Sequence, residues 1–118
     1  MNGATLFTDE DRAALVAAVP ELGVRLVIDA FAAETGFPAD WIIGQRREAV
    51  VARVRQRVMF RAWMLGFPYA VIGRALKRDH TTVLHGVKAE AARCGLTMEA
   101  LRRERDARGK GQHDGHDD

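Results

Sequence analysis

The chain is poor in the residues that staple a fold, break helices or cross a membrane. Its one cysteine, Cys94, excludes an internal disulfide and suits a reducing compartment. Its three prolines, Pro20, Pro38 and Pro68, each stand where a helix is expected to begin. No apolar run is long enough to span a bilayer, and no secretory pattern opens the chain. No segment alternates with period two, so strands lack support, and no internal repeat is evident. No Gly-x-x-x-x-Gly-Lys-Ser/Thr loop is present to cradle nucleotide phosphates. His80 and His85 are five apart and do not share a helix face as a metal pair at four would. No Ser-His-Asp or Cys-His set stands out. These absences point away from an enzyme and predict no cofactor, no nucleotide, no metal and a cytoplasmic location.

What is present is an ordinary globular composition, 47% hydrophobic and 29% charged. A chain of 118 residues buries about 65% of its unfolded surface, enough for one core. The net charge of +2 hides a strong asymmetry: residues 1–40 carry −5, residues 41–110 carry +10 and residues 111–118 carry −3. A basic segment of that strength is the footprint of a nucleic-acid partner. Its bland counterpart is a solvated, arginine-rich helical surface.

Helical punctuation runs throughout. Thr8 followed by Asp9-Glu10-Asp11 signals a capped helix over about 9–18, with Leu15, Val16 and Val19 as its apolar side. Pro20 opens the next, in which Leu22, Leu26, Ala30 and Ala33 or Glu34 track one face, with Val27 and Phe31 beside it, and Gly36 is its stop. Pro38 to Ile43 makes a short turn closed by Gly44. A long helix over about 49–65 is expected to turn Val50, Val54, Val58, Ala62 and Leu65 inward. Trp41, Trp63, Phe60 and Phe67 read as core rather than as stacking platforms. Thr97 caps a last helix to about 108. Beyond it His113, His116 and three aspartates lie in a tail with no apolar residue, which is expected to be disordered rather than metal-binding.

The richest stretch is Ile72 to His85. Ile72 and Leu76 are four apart and face inward. Gly73 costs about 1 kcal/mol against Ala inside a helix, which predicts close approach of another helix. Asp79 can cap the following helix, whose stripe Val83, Val87 and Ala91 is buried. Thr81, His85 and Lys88 fall on another side, and His80 sits in the exposed first turn. Two helices, a tight basic turn and a polar second N-terminus form a helix-turn-helix, whose second helix reads the major groove.

Arg78-Asp79-His80-Thr81-Thr82-Val83-Leu84-His85 resembles the signature of the C-terminal DNA-binding domain of the bacterial DnaA replication initiator. Val51-Ala52-Arg53-Val54-Arg55-Gln56 resembles the start of that domain's long helix, Arg46-Arg47 its basic loop, and Trp41-Ile42-Ile43-Gly44 the turn before it. The resemblance covers about residues 22–93. It implies an all-α, compact helical bundle containing a helix-turn-helix, and binding to a short duplex element, the DnaA box. It places Asp79, His80 and Thr81 at base edges in the major groove and Arg47, in preference to Arg46, in the minor groove. It places Arg78 and Thr82 at phosphates beside the helix start, and Arg55 and Gln56 at phosphates from the long helix. His85 lies near the groove rim, and Lys77 and Lys88 are phosphate contacts on charge alone.

The chain departs from the family pattern before Arg78, where Leu76-Lys77 replaces a pair of small residues in a turn about one residue shorter. Its loop is also poorer in cations, which predicts a shallower salt dependence. The expected organisation is an acidic N-terminal extension over 1–20, a DNA-reading domain over 21–96, a C-terminal helix over 97–108 and a tail over 109–118. The family's ATPase domain does not fit in this length, so a stand-alone regulator of replication initiation or transcription is expected, bacterial or phage-encoded. Two alternatives stand beside it. One is a general nucleic-acid binder. The other is a protein-interaction module that docks through its acidic first helix.

Overall fold

The computed structural model describes residues 8–113, with side chains over 8–108. Those residues form seven helices and no strand: α1 (Asp9–Ala18), α2 (Glu21–Thr35), α3 (Ala39–Ile43), α4 (Ala49–Met64), α5 (Tyr69–Leu76), α6 (His80–Arg93) and α7 (Met98–His113). Helix α4 is the central strut. Helix α6 packs along it, α5 packs on α6 and on α2, and α2 and α3 close the remaining side.

Each start has a local cause. Thr8 and Asp11 exchange hydrogen bonds in a capping box ahead of α1. Thr97 accepts from the Ala100 N–H ahead of α7. Gly36 ends α2 in the left-handed conformation, φ 81°, which suits a residue without Cβ.

The core joins Val24 and Ile28 of α2, Ile42 of α3, Val58 and Ala62 of α4, Ile72 and Leu76 of α5, and Val83, Val87 and Ala91 of α6. The α5 and α6 stripes lie where the four-residue spacing puts them. The buried face of α2 is rotated from expectation, and that of α4 differs at its two ends. On α2 Val24, Val27 and Ile28 go inside, while Leu22 and Leu26 remain exposed. On α4 Val54, Val58 and Ala62 go inside as expected, while Val51 takes the first inward position and Val50 and Leu65 face out. Both helices carry apolar residues on two sides, so periodicity alone does not select the one that meets α5 and α6. Leu15 and Val19 of α1 are likewise exposed, and α1 buries no residue. Cys94 is exposed.

Helix α7 runs on to His113, past the stop expected near Arg108, its backbone continuing through Gly109 and Gly111 despite their low helix propensity. It is fastened by arginine. Arg105 lies over the Trp63 ring, 5.0 Å from its centroid, and donates to the Trp63 and Phe67 carbonyls at 2.6 and 3.1 Å. Arg108 reaches the Met64 carbonyl. Trp63 and Met64 end α4 and Phe67 follows it, so these bonds satisfy carbonyls at and just beyond the helix C-terminus, where helical partners run out. His116 and the three tail aspartates lie outside the described residues.

Candidate nucleic-acid interface

The turn between α5 and α6 consists of Lys77, Arg78 and Asp79. Lys77 adopts the left-handed conformation, φ 58° and ψ 45°. It is the one residue other than glycine at positive φ among those described. The Arg78 N–H closes back on the Gly73 carbonyl at 2.8 Å. This explains Gly73: a Cβ there would sit 2.4 Å from the Arg78 carbonyl oxygen. The close neighbour is the backbone of the turn, not another helix.

Asp79 then starts α6. Its Oδ1 accepts from the Thr82 N–H at 2.8 Å. That bond, with help from the Thr82 hydroxyl, holds the carboxyl below the usual carboxylate range, so it is ionised at neutral pH. His80, Thr81 and Thr82 form an exposed first turn, and His85 and Lys88 continue the exposed side beyond Thr81. With Val83, Val87 and Ala91 fully inside, the polar side of α6 faces outward along its length.

The second part of the site is the loop between α3 and α4. The resemblance implies a phosphate contact for Arg55; the structure turns it inward instead. Arg55 shares the α4 face of Val51, Val58 and Ala62, is 7% exposed, and donates to carbonyls of α3 and of the loop after it. Its Nε reaches the Ile42 oxygen at 2.7 Å, and its Nη2 reaches those of Trp41, Gly44 and Arg46 at 3.0, 3.3 and 3.1 Å. Arg78 enters from the other side. Its Nη1 donates to Ile43 and Leu76 at 2.7 and 2.8 Å, and its Nη2 to Gly44 at 2.5 Å.

The two guanidiniums thus hold the carbonyl end of α3, the negative end of its dipole. Burial lowers the pKa of both, and for Arg55 the neighbouring Arg78 charge lowers it further. Guanidinium remains charged regardless. No carboxylate is among their partners in these bonds, so two positive charges stand behind the loop.

On the loop itself Arg46 is engaged. Its Nε and Nη2 pair with the two Glu48 oxygens at 3.2 and 2.7 Å, and its guanidinium carbon lies 4.0 Å from the centre of the Trp41 ring. Glu48 is held below the usual carboxylate range by its own backbone amide and then by Arg46. Arg47 is exposed and has no partner among the described residues. Gln56 looks toward α6, its Oε1 accepting from Arg93. The exposed candidates therefore form two groups, the Lys77–Thr82 corner with His85 and Lys88, and the loop with Arg46 and Arg47. Arg78 links them.

One buried acid goes unnoticed in the sequence. Glu90 is 6% exposed, pairs with Arg93 and with Arg57 at 3.5 Å, and accepts from the Cys94 Sγ at 3.7 Å. Its signal is its spacing, seven residues from Val83 and three from Val87, on the stripe that goes inside. Among the described residues no three His, Cys, Asp or Glu side chains stand together as a metal would require, and no helix is long and apolar enough to cross a membrane.

Residues 24–89 match the family described as the bacterial dnaA protein helix-turn-helix. No curated protein and no solved structure matches the chain.

Proposed function

The chain belongs to the bacterial DnaA helix-turn-helix family, a family of DNA-binding rather than catalytic modules, and from that premise we propose that it reads duplex DNA at elements of the DnaA-box type. The observation that carries the reading is the pairing of an open, exposed α6 start with a free loop arginine across one fixed turn. Thr81 offers a methyl and a hydroxyl, His80 an imidazole and Asp79 its uncapped carboxylate oxygen to base edges in the major groove. Arg47 enters the minor groove, because Arg46 is already paired with Glu48 and stacked on Trp41. Thr82, Lys77, Lys88 and His85 meet the backbone around the groove. Arg55 and Arg78 act from behind, setting where the loop stands relative to the reading corner. The regulated process is initiation of replication or transcription near such elements.

Fluorescence anisotropy with a box duplex and a scrambled duplex of equal composition, across a range of salt, tests this. A preference for the box that persists as salt rises is the expected result. Equal affinities that vanish together with salt would reduce the protein to an electrostatic binder.

A second reading, a protein contact on the α1–α2 hairpin, is favoured by one observation. Leu15, Val19, Leu22 and Leu26 are exposed together, and three of them line a groove of about 280 Å³. Chemical crosslinking of the chain alone and on DNA checks it: adducts mapping to α1 and α2 are expected, and their absence sinks the reading.

A further inference from the structure

Helix α4 carries a second cationic feature, separate from the loop and from the reading face of α6. Arg53, Arg57 and Arg61 recur at four-residue spacing and are all exposed. They lie on the side of α4 away from Val51, Val58 and Ala62. The helix contains no acidic residue. Arg53 and Arg61 make no ion pair with any described residue, and Arg57 reaches only the buried Glu90, which Arg93 also holds. Like charges one turn apart repel and lower helix stability. A glutamate at any of the three positions would relieve that repulsion, so the stripe is costly to the isolated fold.

The stripe also has a shape. Three residues at this spacing cover about 12 Å at 1.5 Å per residue. That is roughly the axial span of three to four phosphates on one DNA strand. Its position is set by the Arg57–Glu90 contact. Glu90 lies ten residues beyond His80 on α6, about 15 Å along the axis. A recognition helix reads bases with its N-terminal residues, so Arg57, at the centre of the stripe, stands beside the half of α6 that points away from the groove.

We propose that Arg53, Arg57 and Arg61 form a docking surface for a second segment of duplex DNA, so that one molecule seated on its element holds another duplex against α4. The proposal rests on the reading of α6 and the loop given above. A regular row of cations with no interleaved acid matches a polyphosphate backbone, whose charges repeat without regard to sequence. The second duplex is therefore bound without preference.

The test uses the full chain with a donor-labelled box duplex and an acceptor-labelled duplex lacking the box. Energy transfer between the two reports bridging, and anisotropy of the box duplex alone reports reading. The variant is R53Q/R61Q; Arg57 stays because it partners Glu90. Wild-type protein is expected to bring the duplexes together. The variant should lose bridging at least about fivefold while its box affinity stays within about twofold, and R53K/R61K should bridge as wild type does. Failure of the wild type to bridge, or undiminished bridging by R53Q/R61Q, overturns the proposal. So does a variant whose box affinity falls and whose log–log salt slope drops by about 1.8, which would put the stripe on the box duplex itself. Loss of box preference in the wild type is a separate failure, read in the anisotropy alone, and defeats the functional reading instead.

Discussion

The two ends of the candidate interface are held in place by opposite means. The start of α6 is secured locally, by Asp79 capping a backbone group three residues on. The α3–α4 loop is secured from a distance, by Arg55 reaching back nine to fourteen residues and Arg78 reaching back thirty-four and thirty-five. A local cap fixes one turn of helix and little else. A long-range clasp fixes how two separate pieces stand to each other. Arg78 holds the Leu76 carbonyl at the turn and those of Ile43 and Gly44 at the loop, so the spacing between the two halves of the site passes through one side chain.

The sharpest way to break this contrast is Arg55→Ala. It takes the donor from the Ile42, Trp41 and Arg46 carbonyls while Gly44 keeps Arg78, and a loss of about 2–4 kcal/mol is expected in urea unfolding. Arg55→Lys should restore only part of it, since an ammonium lacks the forked geometry. Full restoration by lysine would mean that charge, not geometry, holds the loop.

Next in size is Gly73→Ala, which presses a Cβ against the Arg78 carbonyl oxygen. Backbone cannot swing aside as a side chain can, so about 1–3 kcal/mol should be lost in thermal unfolding. Box preference should shrink with it, because the angle at which α6 leaves the turn must change. A variant with wild-type melting would show that the turn has slack.

Asp79→Ala probes the local end through pH. The carboxyl titrates below its usual value in the folded state. Its contribution is therefore complete above the unfolded value of about 3.9 and is lost as pH falls through the lower folded value. The gap in melting temperature between wild type and variant should be open at pH 6 and narrow below about pH 4. A gap constant from pH 6 to pH 2.5 would contradict the cap.

The smallest effect, and the one that separates folding from binding, is Lys77→Gly. Releasing a side chain from the left-handed region should stabilise the fold by about 1 kcal/mol. If the ammonium meets a phosphate, the same change should flatten the log–log salt slope by about 0.9. A more stable protein that binds with an unchanged slope would remove Lys77 from the interface.

The local end was legible in the sequence because its devices act within a few residues. Asp79 reads as a cap, Val83, Val87 and Ala91 as a stripe, and Thr8 as the start of a capping box, each from spacing alone. The distant end was not. Arg55 looks like any exposed arginine of a basic helix until α3 folds beneath it and presents its carbonyls. Arg46 and Arg47 are equivalent as letters, and only Trp41 and Glu48 distinguish them. Gly73 announced a close neighbour, but the expected helix proved to be the backbone of the turn. The rotated face of α2 and the exchange of Val50 for Val51 on α4 have the same origin: each helix offers two apolar sides, and the choice belongs to partners far along the chain.

Helix α1, which buries no side chain, has a consequence for how the molecule comes apart. Its hydrogen bonds are protected by little more than its own cap and a shallow seat on α2. Its amides should exchange with solvent long before those of α4 and α6, as a unit that opens without the rest. A protease at limiting concentration should accordingly trim the chain near Val19-Pro20 first, leaving the clasped loop and the turn intact.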